Sequence, residues 1–132
     1  MKIKYYETGN KVRLYEMQAI SPNSNGQINI SKTLANNWGV VSGTRLMFAQ
    51  DEDHPENWYM RMVDEDLGTK VFVRTHTTKS KDYTCNNKRV CNAILKILNA
   101  KRSAALMVAK KPTEIDGEEW YQIMVKSPIR VD

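Results

Sequence analysis

The chain has 132 residues, which is the length of one domain and enough to bury a core without disulfides or metal. A composition of 41% hydrophobic and 27% charged residues, with a formal net charge of +5, excludes a disordered or fibrous protein. No apolar run approaches the roughly 20 residues of a membrane helix, and the start of the chain is too polar for a signal peptide. We therefore expect a cytoplasmic protein without a membrane partner.

The predicted elements follow the same order in both halves of the chain: strand, helix, strand, strand. After a short strand at 2–6, the first half has a strand at 11–20, the polar stretch SPNSNG, a helix at 32–38 and strands at 44–50 and 57–63. The second half has a strand at 70–76, the polar stretch THTTKSKDYTCNN, a helix at 87–99 and strands at 104–110 and 119–126. The fold class is thus mainly β with short helices (α+β).

An internal repeat supports this division. The pattern Leu46-Met47-x-Ala49 recurs as Leu106-Met107-x-Ala109, and a Trp-Tyr-x-x-Met-Val sequence occurs at both 58–63 and 120–125. At the same offset of about 60 residues, Leu34 matches Ile94 and Ile30 matches Val90. We predict two tandem β-α-β-β repeats, residues 1–66 and 67–132, that pack as one compact unit because each is too small to bury its own core.

The charges are distributed unevenly between the two repeats. Residues 1–66 contain 7 basic and 9 acidic side chains, whereas residues 67–132 contain 13 basic and 6 acidic ones. Residues 70–111 hold 11 Lys and Arg and one acid, Asp82. Such a segment attracts a polyanion, and nucleic acid is the commonest polyanion in a cytoplasm. The alternative is a lysine-rich face that is merely solvated.

Several of these cations lie beside side chains that donate hydrogen bonds to phosphates. The polar stretch and helix start of the second repeat are rich in Thr, Ser and Asn, and a helix start adds free N–H groups. The candidates for nucleic-acid contact there are Arg74, Lys79, Lys81, Lys88 and Arg89. Lys32 and Arg45, in the first repeat, are candidates of second rank.

The chain shows no residue pattern typical of catalysis or of cofactor binding. Cys85 and Cys91 form a C-x5-C pair without a second pair, so we expect neither a zinc site nor a disulfide. We interpret Cys91 as a small apolar residue on a helix and Cys85 as a loop residue. A P-loop, a nucleophile elbow and a glycine-rich dinucleotide motif are all absent from the sequence. The expected protein is not an enzyme and binds no metal or cofactor.

Residues 26–48, GQINISKTLANNWGVVSGTRLMF, resemble the AbrB/SpoVT family of swapped-hairpin DNA-binding transcriptional regulators. The matching positions are glycines, apolar residues and one lysine: Gly26, Ile28, Ile30, Lys32, Leu34, Gly39, Val40, Gly43, Leu46 and Phe48. The resemblance implies a β-rich core of intertwined hairpins, here in the double-repeat form, with DNA as the partner. It also places Gly26 in a turn between strands, Gly39 at the helix end and Gly43 at the bend into the next strand.

The chain departs from the family pattern in two ways. Family members usually have Pro, Leu and Asp where this chain has Ser31, Trp38 and Thr44. The arginines with which family members engage DNA are replaced, the matching positions being Gln27, Thr33, Ala35 and Asn36. The first repeat therefore keeps the fold motif while the second carries the cations.

Three functions remain open at this point. The first is a DNA-binding transcriptional regulator that contacts phosphates through the basic second repeat, with duplex DNA favoured over single strands. The second is a single-stranded nucleic-acid-binding protein on a duplicated scaffold of the whirly type. The third is an antitoxin-like protein-interaction module whose acidic turn, Asp51-Glu52-Asp53, faces a basic partner. Pairing of the repeats within one chain, or between the chains of a homodimer, is equally open.

Overall fold

The computed structural model describes residues 17–64, 67–75 and 81–132. The described elements are β1 (Ala19–Pro22), β2 (Gln27–Ile30), α1 (Lys32–Trp38), β3 (Arg45–Gln50), β4 (Trp58–Val63), β5 (Thr69–Thr75), β6 (Lys81–Asn86), α2 (Lys88–Leu98), β7 (Ala104–Met107), β8 (Thr113–Ile115), β9 (Glu118–Ile123) and β10 (Arg130–Val131). The strands form one antiparallel sheet in the order β10-β7-β1-β2-β6-β5-β3-β4-β9-β8. The described residues are mainly β with two short helices (α+β), which confirms the predicted class. The predicted β-α-β-β order is wrong, because two strands precede the helix in each half: β1 and β2 before α1, and β5 and β6 before α2.

Hairpins from the two halves of the chain alternate along this sheet. The β1–β2 hairpin lies between β7 and β6, and the β3–β4 hairpin lies between β5 and β9. The two hairpins of the first half therefore pair with strands of the second half and not with each other. Each half supplies the hydrogen-bonding neighbours that the other half lacks.

The sheet also closes on itself at one point. An isolated bridge joins Val108, which follows β7, to Ile123 at the end of β9. Around this bridge the Ala109 N–H donates to the Gln122 carbonyl at 2.8 Å, and the Met124 N–H donates to the Met107 carbonyl at 2.8 Å. Because β7 also pairs with β1, the sheet encloses a core on its inner side.

The core is drawn from both halves of the chain. Leu34 and Ile94, matched in the internal repeat, are both fully buried, and so are Leu46 and Leu106. Other fully buried large side chains are Ile20, Ile28, Met60 and Ile123. A single cluster of buried residues spans all of these positions, so the described parts of the two halves share one core.

Both helices begin and end with local capping interactions. The Ser31 Oγ accepts the Leu34 N–H at 3.2 Å, and the Asn87 Oδ1 accepts the Val90 N–H at 3.1 Å. Gly39 and Asn99 end the helices in the left-handed conformation. α1 spans the predicted residues, and α2 is one residue shorter than predicted at each end.

Two predictions about the polar stretch of the second half are wrong. Residues that we expected to form a polar connection contain β6, in which Tyr83 and Cys85 are buried and alternate with more exposed side chains. Cys85 is therefore a strand residue and not a loop residue, whereas Cys91 lies on α2 as expected. The equivalence of Ile30 with Val90 also fails, because Ile30 is in β2 and Val90 is in α2. The predicted strand at 2–6 and most of that at 11–20 lie outside the described residues.

Three local expectations are confirmed: Gly26 lies in the turn between β1 and β2, Gly39 ends α1, and Gly43 lies just before β3. Gly26, Gly39 and Gly43 all have positive φ values, of 86°, 67° and 96°. Thr44 and Trp38, two of the residues that differ from the AbrB/SpoVT pattern, each make a specific contact. The Thr44 Oγ1 accepts the Val41 N–H at 3.0 Å, and the centroid of the Trp38 ring lies 4.8 Å from that of Tyr121. Within the described ranges, no helix is long and apolar enough to cross a membrane.

Because the Cys85 thiol is buried, we expect the stability of the fold to decrease at alkaline pH. Cys85 and Cys91 are free and buried, and desolvation, aided by the nearby Cys91, raises the pKa of the Cys85 thiol from 9.0 to about 12. Because the folded state then holds this proton more tightly than the unfolded chain, the free energy of unfolding should fall as pH rises from about 9 towards 12. At about pH 10.5 the expected loss from Cys85 is about 2 kcal/mol.

Urea unfolding at about pH 8 and pH 10.5 measures this loss. The difference between the two pH values should be smaller in Cys85→Ala than in the parent. An equal difference in both proteins would show that the Cys85 thiol does not carry the effect.

Candidate nucleic-acid interface

The outer surface of β1, β2 and β6 presents a row of polar side chains. Ile28 and Ile30 point into the core, so the intervening Asn29 faces outwards. The strand register places Asn29 opposite both Ser21 and Thr84. We call this surface the polar face, and its residues are Ser21, Gln27, Asn29, Thr84 and Asn86. Phe72 of β5, opposite Thr84, borders it with 51% of its surface exposed.

Three of the predicted cations lie at one end of the paired strands β2 and β6. Arg74 and Lys81 are exposed residues of the β5–β6 hairpin, and Arg74 lies opposite Asp82. Ile30 pairs with Tyr83, so the chain that continues into α1 brings the exposed Lys32 to this same end. We call Lys32, Arg74 and Lys81 the hairpin-end group. Lys79 lies outside the described residues.

Lys88 and Arg89 lie at the other end of the same strand pair. Both are exposed at the start of α2, where the Asn87 N–H donates to the Gly26 carbonyl at 2.8 Å. A Cβ on Gly26 would lie 3.0 Å from the Lys88 Cβ, which shows how closely the helix start approaches the β1–β2 turn. We call Lys88 and Arg89 the helix-end group. The five steps along β6 from Lys81 to Asn86 separate the two groups by roughly 17 Å.

Arg45 lies near the helix-end group, which the sequence alone does not indicate. It is half-buried and lies opposite the exposed Lys70 in the pairing of β3 with β5. The preceding residue of β5, Thr69, accepts a hydrogen bond from the Asn87 side-chain amide at 2.9 Å through its Oγ1. Lys70 is therefore an additional cation that sequence reasoning did not select.

Sequence reasoning also missed a polar pocket beside the polar face. It has a volume of about 400 Å³ and is lined by Ser21, Asn23, Ser24, Asn25, Asn29, Arg102, Ser103 and Arg130. Arg102 lies in the basic segment 70–111, so charge counting could have selected it. Arg130 lies outside that segment and reaches the pocket because β10 pairs with β7.

Three acidic side chains gather on a different part of the sheet. A second cavity of about 590 Å³, formed beside β3, β4, β8 and β9, is lined by Asp51, Asp116 and Glu118 together with Tyr59 and Trp120. Arg61 bonds Glu118 at 3.1 Å and lies 5.1 Å from the centroid of the Trp120 ring. In the strand order, β4 and β9 are remote from β2 and β6, so the polar face is set apart from this negative charge.

Comparison with protein-family models, with curated proteins and with solved structures finds no match. Among the described residues, no group of three or more His, Cys, Asp or Glu side chains could hold a metal ion. The polar face and the cations around it are therefore the features of the described residues that indicate a function.

Proposed function

We propose that the protein binds duplex DNA through the polar face and acts as a transcriptional regulator of the AbrB/SpoVT type. The observation that carries this proposal is the placement of exposed cations at both ends of the paired strands β2 and β6. Phosphate contacts position a protein on DNA, while side chains in the groove read the bases. The hairpin-end and helix-end groups suit the first role, and the polar face suits the second.

The dimensions of this surface suit the major groove. β2 and β6 are central strands of the sheet, so the polar face would lie across the opening of the major groove, which is about 12 Å wide. Two cation groups roughly 17 Å apart can then reach the backbones on either side of it. Asn29 and Gln27 between them carry amides of the kind that pair with adenine. Under this proposal, side-chain amides make the DNA contacts that arginines make in members of the AbrB/SpoVT family.

The strand pairing supports the tandem form of the family. Both hairpins of the first half lie between strands of the second half, and this interleaving occurs within one chain. We therefore favour two tandem repeats that build a swapped-hairpin-like core inside a single molecule. Under this proposal a homodimer is not needed to complete the sheet.

Duplex DNA is favoured over single strands because of the aromatic residues. Binding of single strands relies on several exposed aromatic rings on which bases stack. Tyr83 is buried, and Phe72 is the one exposed aromatic ring bordering the polar face among the described residues. A single ring is a weak stacking platform.

The test is duplex binding measured by fluorescence anisotropy over a salt series. Each lost phosphate contact should lower the slope of log K against log salt by about 0.9. The double variants Arg74→Ala/Lys81→Ala and Lys88→Ala/Arg89→Ala should each lower it by about 1.8. Adding Lys79→Ala to the first variant tests the residue that the structure does not describe.

The matched control is Lys110→Ala/Lys111→Ala, which removes the same charge from exposed positions outside both groups. Its slope should stay within experimental error of the parent slope. An equal loss in the control would mean that overall charge alone drives binding. Absence of duplex binding at low salt would overturn the proposal.

One observation favours a second candidate function, a protein-interaction module. The acidic cavity combines carboxylates with Tyr59 and Trp120, and such a site suits Lys or Arg side chains of a basic partner. If the parent binds no nucleic acid, this cavity becomes the leading candidate site.

A further inference from the structure

We propose that Arg102, Ser103 and Arg130 form a phosphate-binding site in the polar pocket, and that Asp132 occupies this site as an internal competitor. The inference rests on the proposed function, because it assigns the site to a phosphate of the bound nucleic acid. It adds a contact and a means of weakening DNA binding that neither the sequence nor the family resemblance indicates.

The lining of the pocket has the chemistry that a phosphate requires. All of its lining residues are Arg, Asn or Ser, so the pocket walls carry hydrogen-bond donors and two positive charges. Ser21 and Asn29 belong to both the pocket and the polar face. A nucleic-acid strand that crosses the polar face therefore passes the opening of the pocket.

Two of the side chains that line the pocket already bind an anionic group. The Asp132 Oδ2 accepts a hydrogen bond from the Arg130 Nε at 2.7 Å and another from the Ser103 Oγ at 2.9 Å. The Ser103 hydroxyl first, then Arg130 and the charge of Arg102, lower the pKa of the Asp132 carboxyl. A guanidinium and a hydroxyl that stabilise a carboxylate are also suitable donors to a phosphate oxygen.

Main-chain N–H groups also bond Asp132 beside the pocket. The main-chain oxygen of Asp132 accepts N–H bonds from Lys101 at 3.0 Å, Arg102 at 2.9 Å and Ser103 at 3.4 Å. Successive N–H groups that point at one oxygen form an anion-binding concavity. These bonds hold the backbone of residues 101–103 in a shape that presents Arg102 and Ser103 to the pocket.

Exchange of the carboxylate for a phosphate needs only a side-chain rotation. The Arg130 and Asp132 side chains are 51% and 41% exposed, and exposed ion pairs contribute little to stability. The pairing of β10 with β7 holds Arg130 in place while the Asp132 side chain turns to solvent. A phosphate then gains both arginines, whereas the Asp132 carboxylate remains a competitor for them.

The experiment compares Asp132→Asn and Arg102→Ala in the duplex-binding assay. Asp132→Asn should tighten binding by about two- to fivefold, the factor that corresponds to an exposed ion pair. Arg102→Ala should weaken binding and lower the salt slope by about 0.9. Glu114→Gln, which removes an exposed carboxylate from the remote strand β8, should leave binding unchanged.

Amide NMR shifts of residues 101–103 in the Asp132→Asn protein distinguish the source of the phosphate. Shifts with duplex DNA but not with millimolar inorganic phosphate would assign the site to the nucleic-acid backbone. Shifts with inorganic phosphate as well would support the site and assign it to phosphate in general. No shift with either probe would overturn it.

The two proposals fail in different ways. If Arg102→Ala binds DNA as the parent does while Lys88→Ala/Arg89→Ala binds more weakly, this inference is wrong and the proposed function stands. If the parent binds no DNA but inorganic phosphate shifts the Ser103 amide, the phosphate site stands and the proposed function is wrong.

Discussion

Replacing Gly68 with alanine should destabilise the protein by about 2–5 kcal/mol. Gly68 has a φ of +79°, which an L side chain adopts only at a cost of about 1–2 kcal/mol. An added Cβ would also lie 2.5 Å from the Leu46 carbonyl oxygen and 2.9 Å from its carbonyl carbon. These atoms belong to β3, which is hydrogen-bonded on both sides, so the backbone cannot move away cheaply.

Gly117→Ala is the matched control for this variant. Gly117 has nearly the same φ, +81°, but a Cβ there would meet no atom within 4 Å. Its substitution should therefore cost only the conformational term of about 1–2 kcal/mol. Urea unfolding followed by tryptophan fluorescence measures both variants. Equal destabilisation by the two would contradict the close approach of Gly68 to β3.

Cutting the chain between Asp64 and Leu67 should leave neither half able to fold as a monomer. The β1–β2 hairpin relies on β6 and β7 of the second half, and the β3–β4 hairpin relies on β5 and β9. An isolated two-stranded hairpin is marginally stable at best. The expected result is loss of the entire cooperative unfolding transition in each separated half.

Mixing the two halves at equal concentration should restore the transition, because each hairpin regains its neighbours. Circular dichroism and size-exclusion chromatography of the separate and mixed halves provide the measurement, with the uncut protein as the control. A folded homodimer of one half agrees with the pairing, since a second copy can supply equivalent strands. A folded, monomeric half would contradict the interleaved arrangement.

Local sequence signals were sufficient for the helices and for several strands. Ser31 and Gly39 delimit α1 through contacts within a few residues, and the predicted strands at 44–50 and 57–63 match β3 and β4 closely. β6 was not predicted because its outward-facing residues are polar and only two of its residues, Tyr83 and Cys85, face the core. Two such residues do not form a clear apolar pattern. A strand of this kind is recognised only when the sheet beside it is known.

The candidate site, too, was predicted only in part from the sequence. Charge counting alone located the basic second half of the chain and five of its candidate cations, but it could not separate them into two groups. Lys32, from the first half, joins Arg74 and Lys81 because Ile30 pairs with Tyr83. Lys70 and Arg130 were not selected, since nothing in their sequence neighbourhoods indicates the strands beside them.

The sequence by itself determined the mainly β composition, the capped helices and the surplus of positive charge in residues 67–132. Those properties depend on side-chain type and on contacts within a few residues. The tertiary structure alone decided that hairpins from the two halves alternate, and that Arg102 and Arg130 line one pocket. Strand pairing joins residues far apart in the chain, and no local preference records which strand will be the neighbour.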